Sequence, residues 1–133
     1  KNRLFYSFGL SNSFEINNGL KKALTCKKKS KNNEINAVAY SSNPKPEIAA
    51  IYKKYNITNF TRMKSSFKFC VIASGEFDFY AAEPRACEWD IAAGHAILEH
   101  AGGIITDFNE NDIYYGKTDF KNPSLILKRE KIL

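Results

Sequence analysis

The chain has 133 residues and a formal net charge of +6 at pH 7. With 44% hydrophobic and 14% aromatic residues it has the make-up of one ordinary globular domain able to bury a core. No apolar run reaches the roughly 18 residues that a membrane span needs, so no membrane-spanning helix is expected in these residues. The opening residues lack the pattern of a signal peptide. An odd count of 3 cysteines, with no Cys-x-x-Cys pair, argues against a disulfide framework and for a reducing cytoplasm.

In chain order, Leu4 to Phe8 and Phe14 to Ile16 read as short strands, Asn17-Asn18-Gly19 as a turn, and Leu20 to Thr25 as a third strand. Lys27-Lys28-Lys29-Ser30-Lys31, followed by Asn32 and Asn33, holds much of the positive charge. It reads as a solvated loop, since it lacks the interleaved aromatics a single-strand nucleic-acid surface requires. Ile35 to Tyr40 reads as a buried strand. Pro46 suits the first position of a helix, with Ile48, Ile51, Tyr52 and Tyr55 at i, i+3, i+4, i+7. Asn56 ends that helix, and Ile57 to Arg62 is a strand. Ser65 or Ser66 caps a helix running to about Ser74, with Gly75 as its stop. Phe77 to Tyr80 is a strand, Glu88 to Gly103 covers a long helix and its exit, and Ile104 to Thr106 starts another strand. Asn109 to Asp112 is a polar turn, and Leu125 to Leu127 is the last strand. Strands alternating with helices predict an α/β fold with a largely parallel sheet. The expected division is residues 1–34, antiparallel strands plus the basic loop, and residues 35–133, the α/β unit.

The long helix organises the chain. Ala93, Ile97 and Ala101 at i, i+4, i+8 predict one packed face, and Gly102 supplies a left-handed stop. Gly94 lies in the interior, where glycine costs about 1 kcal/mol against alanine, so the sequence predicts a close approach to that backbone. Asp90, in the first turn, suits the positive end of the helix dipole. Spacing alone reads it as a helix-start residue, with metal ligation as the alternative.

Lys68 sits in the first turn of its helix, against the dipole. One reading has it facing a phosphate, beside Ser65 and Ser66; the other lays it across its own helix with the ammonium in water. Cys70 reads as an inert apolar residue. His95 and His100, at i, i+5, fall on different helix faces and make no zinc motif.

Trp89-Asp90-Ile91-Ala92-Ala93-Gly94, continued by Ile97-Leu98 and Ala101-Gly102-Gly103, closely resembles the C-terminal motif of the inositol monophosphatase superfamily. Ser65-Ser66-Phe67-Lys68-Phe69-Cys70, then Gly75 and Tyr80, is similar to the CysQ branch, the 3'(2'),5'-bisphosphate nucleotidases. The resemblance spans residues 65 to 107 and extends more weakly to both ends of the chain, including Asn122-Pro123. It implies the C-terminal α/β domain of a layered sandwich, preceded by remnant strands of an N-terminal domain whose sheet they would close. A first residue of Lys1 and a single methionine, Met63, agree with a piece of something longer.

What the resemblance implies for function is specific. Asp90 would be a Mg²⁺ ligand and a substrate contact. Ser65, Ser66 and Lys68 would hold phosphate of a nucleotide bisphosphate or another small phosphomonoester. Many CysQ-type sequences place an arginine two residues after the tyrosine; here Ala82 stands there, and Arg85, three positions on, is the candidate replacement. The remaining metal ligands of the family, a glutamate and an Asp-Pro-x-Asp-Gly-Thr element, do not occur in this chain. The isolated chain is therefore expected to lack activity unless an N-terminal half, as a separate chain, or a homo-oligomer completes it. An inositol or sugar phosphate phosphatase fragment, and a non-catalytic remnant of a split or decayed gene, are the alternatives.

Overall fold

The computed structural model describes residues 2–26 and 34–130; the basic run from Lys27 to Lys31, with Asn32 and Asn33, lies outside the described residues. The chain opens with an antiparallel meander of β1 (Arg3–Phe8), β2 (Asn12–Asn17) and β3 (Leu20–Ala23), in that spatial order. Asn18 and Gly19 join β2 to β3 with φ of +49° and +81°, the paired left-handed conformation whose twist suits a two-residue hairpin. Alternation then splits the sheet. The Ser13 hydroxyl donates to the Ile97 carbonyl at 2.7 Å, Phe5 meets Phe67 edge-on, and Arg3 pairs with both Glu15 and Glu76. On the other face Tyr6, Phe8 and Phe14 stack on one another, and Leu4 and Phe8 are more than half exposed.

The second sheet has five strands in the order β5 (Phe60–Arg62), β4 (Ala37–Ala39), β6 (Phe79–Ala82), β8 (Leu125–Lys128), β7 (Ile104–Thr106). β4 pairs in parallel with β5 and with β6, while β8 runs antiparallel to both β6 and β7. Four of the five strands thus point one way, and β8 lies between them in the opposite sense. Three strands are displaced from the sequence reading for local reasons. Asn36 and Asp78 exchange hydrogen bonds ahead of β4 and β6, the Ile57 N–H bonds back to Tyr52, and the Phe77 N–H is taken by Val71. Those groups leave the ladder, so β4 and β5 are shorter than predicted and β6 starts later.

Three helices cover this sheet: α1 (Pro46–Lys54), α2 (Phe67–Ala73) and α3 (Glu88–His100). Every residue of β6 and β8 is buried, as a strand with helices on both faces requires. Ala37, Ala39, Phe79, Ala81 and Ile126 face Ile48 and Tyr52 of α1 and Tyr55 just beyond its end. The alternate positions Val38, Tyr80, Ala82, Leu125 and Leu127 face α2 and α3 through Phe69, Ile72 and Leu98. The meander packs on the far side of α3, giving four layers, with Leu24 and Cys26 joining the inner core. Each large apolar side chain fully buried here, such as Phe79 or Leu127, contributes about 1.5–3 kcal/mol.

α3 buries Ile91, Gly94, Ile97 and Leu98, with Ala101 just beyond its end. Ala93, expected on this face, is instead exposed: at 100° per residue it falls just outside the buried arc. Gly94 meets its expectation, because a Cβ there would lie 2.6 Å from Cγ of Phe69. Gly102, at φ +93°, provides the left-handed stop.

Candidate functional site

In open α/β sheets, ligand crevices form beyond the carboxyl ends of the parallel strands. A cavity of about 520 Å³ lies there, lined by Tyr40 after β4, Ser65 and Ser66 after β5, Glu83 and Arg85 after β6, Lys68 at the start of α2 and Asp90 at the start of α3. Tyr80 and Leu125 line its wall. The five residues singled out from sequence, Ser65, Ser66, Lys68, Arg85 and Asp90, therefore share one cavity.

Lys68 is not a solvated surface lysine. It is 4% exposed, and its Nζ donates to the Ser65 carbonyl at 2.6 Å and to the Met63 carbonyl at 3.2 Å. It lies 4.8 Å from the Tyr80 ring centroid. Burial, with the nearby Arg85 charge as the second cause, brings its pKa down to about 8. Ser65 adopts φ +81°, which a non-glycine residue occupies only when its surroundings hold it there. Its hydroxyl accepts from the Phe67 N–H at 3.3 Å, whereas Ser66, the residue preceding the helix, makes no side-chain cap. The expected serine cap is thus at most this one long bond, because Ser66 sits in right-handed helical geometry rather than the extended geometry a cap requires.

Asp90 is exposed and completes a capping box: one carboxylate oxygen accepts from the Cys87 N–H at 2.8 Å. The other oxygen has no hydrogen-bond partner among the described residues. Asp90 is accordingly both a helix-start residue and a carboxylate open to the cavity. Arg85, exposed in the loop between β6 and α3, stacks its guanidinium 3.6 Å from the Tyr40 ring centroid and donates to the Tyr80 hydroxyl at 3.2 Å. Glu83 on the rim pairs with Lys45 at 3.4 Å.

Tyr40 and the Tyr80 hydroxyl were not singled out for chemistry by sequence. The pointer to Tyr40 was its place as the last residue of a predicted buried strand; the structure ends β4 one residue earlier and leaves Tyr40 at the strand's carboxyl end. Glu88, next to the site's helix, is structural: it accepts from the Gly116 and Lys117 N–H groups and pairs with the Lys117 ammonium at 2.7 Å. The Lys117 bonds, then the Gly116 N–H, pull its pKa down to about 2. His95 meets the Tyr115 hydroxyl at 2.7 Å, and His100 meets Ser7, so both are engaged structurally. No group of three or more His, Cys, Asp or Glu side chains converges to hold a metal among the described residues. Asp90 fits a hard divalent cation only as one oxygen donor within a larger set.

The profile of the inositol monophosphatase family matches residues 5–132. A protein of the pss 5' region in Rhizobium leguminosarum bv. phaseoli is 43% identical over 72 residues, covering 50% of this chain and 76% of that protein. The 3'(2'),5'-bisphosphate nucleotidase of Dictyostelium discoideum is 40% identical over 60 residues, covering 42% of this chain and 18% of that enzyme. The crystal structure of CysQ from Bacteroides thetaiotaomicron superimposes with a TM-score of 0.77 and 27% identity, over 96% of this chain. The chain spans about half of that structure, 54% of its length. The superposition on CysQ, the motif around Asp90 and a profile match over nearly all its residues place the chain in the inositol monophosphatase family, among its CysQ-like members.

Proposed function

We propose that this chain forms one wall of the active site of a Mg²⁺-dependent phosphomonoesterase that hydrolyses 3'(2'),5'-bisphosphorylated nucleotides. With 3'-phosphoadenosine 5'-phosphate as substrate the products are AMP and phosphate: a water oxygen bonds to phosphorus, the P–O ester bond breaks, and the leaving oxygen takes a proton. The observation that carries this reading is the meeting of Asp90, Lys68, Arg85, Ser65 and Ser66 in a single cavity at the strand ends. Asp90 would offer its free oxygen to the cation, with the other ligands coming from outside this chain. Bound Mg²⁺ would supply charge stabilisation on the phosphoryl oxygens and a more acidic water. Lys68, fixed by two carbonyls, and Arg85, fixed by two tyrosines, would bind phosphate, with Ser65 and Ser66 beside them. Three free cysteines suit a reducing cytoplasm.

The chain alone would be inactive, and an N-terminal half, as a separate chain or through a homo-oligomer, would complete it. Mixing the chain with a polypeptide bearing the family's N-terminal acidic motifs, plus Mg²⁺, tests this. Release of phosphate from bisphosphorylated nucleotides is expected; associated, soluble halves that release none overturn it. A second reading, an inositol or sugar phosphate phosphatase, is favoured by Ala82 at the position where CysQ-type sequences carry arginine. Faster release from inositol monophosphate than from the nucleotide would select it.

A further inference from the structure

We propose that Tyr40 is a positioning residue that, with the Tyr80 hydroxyl, holds Arg85 on the cavity rim so that it grips a second phosphate group of the substrate. The inference rests on the phosphatase reading above and deepens it. Arg85 comes from a loop, is exposed, and carries a side chain with many rotamers. A free arginine there would sample much of the rim. Instead its guanidinium lies 3.6 Å from the Tyr40 ring centroid and donates one N–H to Tyr80. A guanidinium has five N–H donors in a planar fork, so most remain for phosphate oxygens.

The geometry divides the cavity. Lys68 is buried at the inner wall, tied to the Ser65 and Met63 carbonyls, and lies over the Tyr80 ring. Arg85 occupies the outer rim with Tyr40 beneath it. Tyr80 therefore touches both cations, its ring with Lys68 and its hydroxyl with Arg85. Two cations held this near repel each other, and the Arg85 charge is one cause of the lowered Lys68 pKa. Glu83 offsets part of this on the rim, but it is also paired with Lys45. An arrangement that fixes two cations at separate places in one cavity suits a ligand with two separated anionic groups. A monophosphate would satisfy only one of them.

The test uses the full chain and calorimetric binding of two probes, adenosine 3',5'-bisphosphate and adenosine 3'-monophosphate, which lacks the second phosphate. Tyr40→Leu is expected to weaken the bisphosphate about tenfold and the 3'-monophosphate less than about twofold, while Tyr40→Phe, which keeps the ring, matches the parent. Equal weakening of both probes, or of neither, overturns the positioning role. If the parent chain binds neither probe, the phosphate-cavity reading fails and this inference with it. A ligand-free measurement stands apart from binding: ¹⁵N relaxation at Arg85 Nε should show an ordered guanidinium in the parent and in Tyr40→Phe, and a mobile one in Tyr40→Leu. Equal order in all three overturns the proposal even where binding discriminates.

Discussion

Phe69 of α2 lies against Gly94 of α3 so closely that no Cβ fits between them: the added atom would stand 2.6 Å from Cγ and 2.9 Å from Cβ of Phe69. These are the two helices whose first turns carry Lys68 and Asp90. Their spacing is therefore also the spacing of the cavity walls.

Gly94→Ala sets two effects against each other. Alanine gains about 1 kcal/mol of helix propensity, and forcing a methyl into a filled contact loses about 1–3 kcal/mol. Phe69 is 3% exposed and clashes through its Cβ and ring base, which have little freedom to yield. The expected outcome is a net loss of up to about 2 kcal/mol, read from urea denaturation. A stabilised variant would show that the helices separate readily.

Lys68 gives a signed pH dependence. Its pKa is lowered in the folded chain to about 8, from 10.5. Between those values the unfolded chain binds more protons, so this group makes stability rise with pH from about 8 upward. Below about 8 the folded protein carries the full cost of a charged, buried lysine. The raised thiols of Cys26 and Cys70 act in the opposite sense above pH 9. Comparing the parent with Lys68→Met isolates the lysine: the denaturation midpoint of the variant should lack the rising component between pH 8 and 10. Parallel pH curves would refute the assignment.

Asp90→Asn separates the capping role of this residue from the metal role proposed for it. Asparagine keeps a side-chain oxygen for the Cys87 N–H, so the capping box survives, and only the charge at the helix start is lost, about 0.3–1 kcal/mol. In a reconstituted assembly, by contrast, Mg²⁺-dependent phosphate release should fall by about a hundredfold or more, as expected for loss of a metal ligand's charge. A variant active at parental level would remove Asp90 from the metal site.

Glu88→Gln tests the brace beside the site. The Glu88 carboxylate holds the backbone N–H groups of Gly116 and Lys117 and the Lys117 ammonium, and its lowered pKa means that its stabilisation, complete above about pH 4.5, fades toward about pH 2. The variant should unfold at lower denaturant at pH 7, and the difference from the parent should shrink as the pH falls below 4. Amide exchange at Gly116 and Lys117 should quicken. Unchanged exchange there would show that the loop is held by other contacts.

The sequence by itself determined the order and kind of the elements, because turns, caps and apolar periods act over a few residues. Asn18-Gly19 made its hairpin turn, Pro46 began α1, Gly102 ended α3, and Gly94 announced a close approach. The motif around Asp90 and Lys68 also marked the family and five residues of the cavity. Tertiary structure alone decided that β8 enters between β6 and β7, that Ala93 lies outside the packed arc, and that Lys68 is buried among carbonyls and rings. It alone joined Tyr40 to Arg85, 45 positions apart in the chain. These features depend on which strand ends become neighbours and on how fully water is excluded between them, and no local pattern of side chains encodes either.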